Sequence, residues 1–138
     1  MTQVELYDTT LRDGAQSEGI SLSVEDKLTI TDRLDQLGVH YIEGGWPGSN
    51  PKDAEFFARI REIELHQARI CAFGSTRYKD TTCEGDANIQ ALVEADTPVV
   101  TGPAGYLLGI EHGIAVVQTT REASATREGW VDITLDLA

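Results

Sequence analysis

Short runs of β-forming residues alternate with amphipathic helical segments along the first hundred residues. The β runs lie at Val39–Glu43, Ala68–Phe73 and Thr97–Thr101, and an earlier apolar run ends at the stretch YDTTLRDGAQ, residues 7–16. Each unit spans roughly 30 residues, the size of one βαβ crossover. Alternation of this kind predicts right-handed crossovers and a parallel α/β sheet.

The helical segments have recognisable ends and apolar stripes. Ser23 is predicted to cap the first helix, Gly38 to end it, and Asn50 to cap the second helix, while the third runs from about Asp86 to Glu94. The side chains predicted to be buried are Val24, Leu28, Ile30, Leu34 and Leu37 on the first helix, Phe56, Phe57, Ile60 and Ile63 on the second, and Ile89, Leu92 and Val93 on the third.

Polar side chains follow the strands where a parallel sheet binds its ligands. The carboxyl ends of parallel strands share one rim, which here receives Asp8, Arg12, Asp13, Glu43, Ser75, Thr76 and Arg77. A carboxylate that can bind a hard cation, beside a guanidinium that can bind an oxyanion, suits metal-assisted chemistry on a keto acid. The simpler alternatives are an Arg12–Asp13 pair in a solvated turn, a solvated Glu43, a Gln16 that caps the turn and a Trp46 that only packs.

Charge and hydropathy exclude several classes of function. With 11 Lys+Arg against 23 Asp+Glu the chain carries a net charge of −12, which argues against binding of nucleic acid. No uncharged apolar run approaches the ~20 residues that span a bilayer, and the N-terminus does not resemble a secretory signal. We therefore expect a cytoplasmic protein without membrane contact. Cys71 and Cys83 have no metal-site spacing and are expected to be reduced thiols.

Three stretches together carry a family resemblance. They are DTTLRDG with Gln16 (residues 8–16), IEGGWPGSNP (42–51) and AFGST (72–76). Residues 4 to about 101 resemble the N-terminal part of the catalytic domain of citramalate synthase and 2-isopropylmalate synthase, in the group that includes 3-hydroxy-3-methylglutaryl-CoA lyase. The second stretch, with its Trp-Pro pair, resembles citramalate synthase more than it resembles 2-isopropylmalate synthase.

The resemblance implies a fold, a reaction and a site. The fold is a (β/α)₈ barrel, of which this chain would hold about the first four βα units. The reaction is a Claisen condensation of acetyl-CoA with a 2-keto acid, pyruvate favoured, giving citramalate in branched-chain amino-acid biosynthesis. By resemblance Arg12 and Glu43 are catalytic, Asp13 binds a divalent metal (Mg, Mn or Zn), and Arg12, Gln16, Ser75 and Thr76 bind substrate.

The chain also departs from the family pattern. A barrel of this type needs about 250 residues and 138 are present, and the family's late His-x-His pair of metal ligands has no counterpart in His40, His66 or His112. We therefore expect residues 1–101 to be the N-terminal half of a barrel domain and residues 102–138 to be an unmatched tail, strand-patterned from Trp130 to Leu137. A truncated, inactive chain is one expectation. A non-catalytic half-barrel that self-associates, or a small doubly wound domain with an anion-binding rim, is the alternative.

Overall fold

Four parallel strands alternate with helices, as the sequence predicts. The computed structural model describes residues 4–78 and 80–102, and beyond them the backbone of residues 106–111, 114–120 and 130–136. The elements are β1 (Tyr7–Asp8), α1 (Val24–Leu37), β2 (Tyr41–Gly45), α2 (Pro51–Ile60), β3 (Arg69–Phe73), α3 (Ala87–Ala95), β4 (Val99–Gly102), β5 (Tyr106–Glu111), β6 (Ile114–Thr120) and β7 (Trp130–Asp136). No helix among the described residues is long and apolar enough to cross a membrane.

The strand order is that of a barrel segment. Strands β1 to β4 are neighbours in chain order and all pair in parallel. A doubly wound sheet reverses its order at a switch point, and no reversal occurs among these four strands. Strand β5 pairs antiparallel with β4, and β6 and β7 continue the sheet as an antiparallel meander. Strand β7 lies at Trp130–Asp136, within the stretch Trp130 to Leu137 that has a strand-like sequence pattern.

The helix ends follow the predicted capping chemistry. Ser23 and Asp26 form a reciprocal capping box at the start of α1, and Gly38 ends it in the left-handed conformation at φ 95°. The Asn50 side chain accepts the Asp53 N–H, with Pro51 at the first position of α2. Asp86 caps α3 by accepting two backbone N–H groups.

The core lies between the sheet and the helices. Its buried side chains include Leu11, Val24, Leu28, Val39, Ile42, Phe56, Phe57, Ile60, Ile70, Leu92 and Val100. Three residues predicted to be buried are exposed: Leu37 by 77%, Val93 by 41% and Ile63 by 36%. They lie in the last turn of α1, on the outer side of α3 and just after α2, where nothing in the described chain covers them.

The connection from α2 to β3 is fixed by a buried carboxylate on α1. Asp35 accepts the backbone N–H groups of His66, Gln67 and Ala68 at 2.6 to 3.0 Å, and His66 Nδ1 lies 3.0 Å from it. Burial alone would raise the pKa of Asp35, but these hydrogen bonds outweigh it and hold the pKa well below its ordinary range. The carboxylate therefore fixes the chain entering β3.

Candidate functional site

All four parallel strands contribute to one polar cluster at the sheet's carboxyl rim. Arg12 follows β1, directly after Leu11, which is 1% exposed and anchors the loop in the core. Its guanidinium carbon lies 3.9 Å above the centroid of the Phe73 ring, at the end of β3. A cation stacked on an aromatic face is held in orientation as well as attracted. Arg12 is therefore a positioned cation rather than a free surface side chain.

Glu43 on β2 is the buried anion of this cluster. The residue is 2% exposed, so the alternative of a solvated loop carboxylate is wrong. Its Oε1 accepts from Arg12 Nε, and its Oε2 accepts from Tyr7 Oη on β1 and, at 2.6 Å, from Thr101 Oγ1 on β4. A buried charge is tolerated when it is paired and hydrogen-bonded, and both oxygens of Glu43 meet that condition.

The cluster also changes the titration of its neighbours. Burial, with the nearby Glu43 carboxylate, raises the pKa of Tyr7 well above its usual range, so the phenol stays protonated and donates. The same two causes raise the pKa of the Cys71 thiol to about 12. Cys71 is therefore a neutral core residue without nucleophilic character.

Asp13 meets Arg12 with both of its oxygens. Arg12 Nη1 lies 2.9 Å from Oδ1 and Nη2 lies 3.1 Å from Oδ2, a forked pair whose Asp13 side chain is 54% exposed. No group of three or more His, Cys, Asp or Glu side chains within the described chain is arranged to hold a metal ion. Asp13 supplies one carboxylate, so the described residues do not by themselves fit the divalent metal that the resemblance implies.

Two of the remaining rim residues make hydrogen bonds within their own turns. Asp8 accepts from Thr10 N and Oγ1, both at 2.9 Å, and so closes its own turn. Arg77 donates to the carbonyls of Tyr78 and Thr81 within its own loop. Gln16 is exposed on a short 3-10 turn, Gly14–Gln16.

Ser75 and Thr76 follow β3. Ser75 Oγ is buried with no hydrogen-bond partner among the described residues, which leaves it available to a bound group. Thr76 is exposed. The structure joins neither residue to the Arg12 cluster by a hydrogen bond within its described part, and their role in substrate binding stays a prediction.

A cavity of about 560 Å³ opens beside Arg12, between the loop after β1 and the loop after β2. Its lining includes Arg12, Gln16, Lys27, Trp46 and Phe73. Trp46 packs edge-on against Phe73, with ring centroids 5.5 Å apart, and its Nε1 has no hydrogen-bond partner among the described residues. The cavity therefore combines a cation with an aromatic wall, features of a small-molecule site.

A buried ion pair holds the loop that forms one wall of the cavity. Lys27 Nζ donates to Asp53 Oδ1 at 2.5 Å and to the Gly44 carbonyl at 2.8 Å. Asp53 Oδ2 accepts the Trp46 N–H at 2.9 Å. Gly45 has φ 144°, and an added Cβ there would lie 2.5 Å from Asp53 Oδ2, so a side chain would not fit.

The HMGL-like family model matches residues 3–124. This chain belongs to the HMGL-like family. The match passes the boundary predicted at Gly102, and the division into residues 1–101 and 102–138 stays a prediction.

The relatives agree with the predicted resemblance. The chain is 56% identical over 101 residues to (R)-citramalate synthase of Geobacter sulfurreducens, covering 73% of this chain and 19% of the relative. It is 60% identical over 100 residues to (R)-citramalate synthase of Synechocystis, covering 72% and 18%. A 2-isopropylmalate synthase of Aliivibrio salmonicida is 45% identical over 131 residues, covering 87% and 25%. The HMGL-like chain thus spans about a fifth of the length of the citramalate synthases that it matches.

Proposed function

We propose that this chain carries the keto-acid-binding part of a Claisen-condensing acyltransferase of the citramalate synthase type. The substrates would be acetyl-CoA and a 2-keto acid, with pyruvate favoured, and the product citramalate would serve branched-chain amino-acid biosynthesis. The observation that carries the proposal is Arg12, fixed at Nε by buried Glu43 and stacked on Phe73. Identities above 50% to (R)-citramalate synthases support the choice of reaction.

Arg12 would bind the keto acid. Its Nε–H donates to Glu43, and its two Nη groups, both at the rim, each donate one hydrogen bond to the half-exposed Asp13. A substrate carboxylate or a developing alkoxide would compete with Asp13 for those donors, or use the two Nη–H groups that have no acceptor in the described part of the chain. Catalysis by Arg12 in this role is charge stabilisation, and Glu43 would hold the cation in place.

The proposed cofactor is a divalent metal, and the proposed co-substrate is acetyl-CoA. Asp13 would be one ligand of a divalent ion, and further ligands would have to come from outside the described residues. A site with one protein carboxylate binds a hard cation weakly. We therefore propose that this chain alone does not catalyse the condensation. Thiol release from acetyl-CoA, dependent on pyruvate and on the purified chain, would overturn that statement.

Calorimetry tests the binding role of Arg12. We expect the chain to bind pyruvate saturably, and we expect Arg12→Met to abolish the heat of binding. Arg33→Met is the matched control, because Arg33 lies on the exposed side of α1, where it donates to Gln36. Equal binding by the wild-type chain and the Arg12 variant would contradict the proposal. A parallel titration with manganese, against Asp13→Ala, tests the proposed metal ligand.

A non-catalytic half-barrel that self-associates is the second candidate. It is favoured by the exposure of Val4 and Leu6, 72% and 53%, beside the edge strand β1. Sedimentation of the purified chain separates the two candidates when combined with the pyruvate titration. A stable dimer that does not bind pyruvate would favour the assembly role.

A further inference from the structure

One oxygen of Glu43 is held by two hydroxyl groups from two different strands. Tyr7 Oη on β1 and Thr101 Oγ1 on β4 both donate to Oε2, and the two hydroxyl oxygens lie 3.3 Å apart. Thr101 is 6% exposed and Glu43 is 2% exposed. The carboxylate is thus held by neutral donors from strands that lie on either side of β2 in the sheet order.

Fixing Oε2 determines where Oε1 points. Oε1 accepts the Arg12 Nε–H, and the guanidinium carbon lies over the Phe73 ring, 3.9 Å from its centroid. A carboxylate free to rotate about its last torsion would offer Arg12 several geometries, because such torsions are broad. With Oε2 bonded twice, only one geometry keeps every donor satisfied.

We propose that Tyr7 and Thr101 are positioning residues that lock Glu43, and through it hold the Arg12 guanidinium over Phe73 with its Nη groups at the mouth of the site. The inference rests on the proposed function in taking Arg12 as the group that binds the keto acid. The positioning itself is a property of the ligand-free chain. Both hydroxyls donate to Glu43 rather than to Arg12, so their proposed effect on Arg12 runs through Glu43.

The Arg12 Nε–H resonance reports the position directly. In a ¹⁵N-labelled chain this resonance is assigned by its loss in Arg12→Lys. We expect it to be displaced by the Glu43 hydrogen bond and the Phe73 ring, and to exchange slowly with solvent. In the double variant Tyr7→Phe, Thr101→Val we expect it to move towards the position of an unstructured arginine and to exchange at least tenfold faster. Thr101→Ser keeps the hydroxyl, so the double variant Tyr7→Phe, Thr101→Ser should show the same Arg12 resonance and exchange rate as Tyr7→Phe alone.

A matched control separates positioning from loss of stability. Thr97 is also 6% exposed, and its hydroxyl donates to the Val99 carbonyl at 2.9 Å, away from Glu43. Thr97→Val should lower stability without moving the Arg12 resonance. An unchanged Arg12 resonance in the double variant, with a stability loss like that of Thr97→Val, would overturn the proposal.

The single variants guard against a double variant that does not fold. Each single variant leaves one hydroxyl on Oε2, and each is expected to speed Arg12 exchange a few-fold. Their failure to do so would equally overturn the proposal. Addition of pyruvate to the wild-type chain is a separate arm. An Arg12 resonance that does not shift with pyruvate but does change in the hydroxyl variants would contradict the proposed function and still support the positioning role of Tyr7 and Thr101.

Discussion

The buried pair of Lys27 and Asp53 gives the sharpest stability prediction. The two side chains are 3% and 12% exposed, and Nζ lies 2.5 Å from Oδ1. Lys27→Met keeps the aliphatic stem but leaves the Asp53 carboxylate with only the backbone N–H of Trp46 as a donor among the described residues. Asp53→Asn leaves the buried ammonium with the Gly44 carbonyl. Either change leaves a buried charge without its counter-charge.

The expected loss in the free energy of unfolding differs between the single variants and the double variant. Removing one partner of a buried pair costs about 3–5 kcal/mol of the free energy of unfolding, whereas removing both charges is often close to neutral. In Lys27→Met, Asp53→Asn the asparagine oxygen can still accept the Trp46 N–H. We therefore expect the double variant to be at least about 2 kcal/mol more stable than Lys27→Met alone.

Urea unfolding followed by far-ultraviolet circular dichroism measures these energies by linear extrapolation. Arg59→Met is the control, because its pair with Glu25 has side chains 40% and 71% exposed, and exposed pairs contribute little. If Lys27→Met is unfolded in buffer, recovery of a folded double variant is the same result. Strictly additive losses, or a Lys27→Met that costs no more than Arg59→Met, would refute the reasoning.

Three further changes test the rest of the account. Gly44→Ala should destabilise the chain by about 1–3 kcal/mol, because an added Cβ would lie 2.3 Å from Phe56 Cε1. Stability that depends on Asp35 should be fully present above its ordinary pKa of 3.8 and be lost as pH falls below it, since the folded-state pKa is depressed; urea midpoints against pH should fall less steeply in Asp35→Asn. With metal removed by chelator, Asp13→Asn should bind pyruvate roughly two- to fivefold more tightly by calorimetry, because an exposed competitor of the Arg12 fork is lost.

Each of these predictions has a defined contrary result. Gly14→Ala is the control for Gly44, since the nearest atom to its added Cβ lies at 3.6 Å, and equal losses at both positions would exclude the overlap as the cause. An unchanged acid profile in Asp35→Asn would reject the carboxylate as the source of the pH dependence. Weaker metal-free pyruvate binding in Asp13→Asn would mean that Asp13 supports the ligand rather than competing with it.

The sequence predicts the elements and the rim because their signals are local. Ser23, Gly38 and Asn50 specify helix ends through short-range capping, and the motif at residues 8–16 places Arg12 and Asp13 after a strand. Glu43 was predicted at the rim, but its burial depends on partners from two other strands.

The rest depends on contacts distant in the chain. Tyr7 and Thr101 are 94 residues apart, and only the register of four strands brings them to Glu43. Lys27 and Asp53 lie at helical spacing from the buried apolar residues of α1 and α2, so periodicity places both on buried faces, but no local signal pairs one charge with the other. Leu37 lies on the predicted apolar stripe of α1 but is exposed. Periodicity predicts which face of a helix is apolar, but it does not predict how far along the helix other residues cover that face.

The response of the Arg12 Nε–H resonance to pyruvate tests the central claim most directly, because it observes the proposed binding group itself. The account predicts a saturable shift of this resonance at the same pyruvate concentrations that give heat in calorimetry, with the Arg33 resonance unmoved. Pyruvate binding that leaves Arg12 unmoved, or no binding by the wild-type chain, would contradict the assignment of this rim as a keto-acid site.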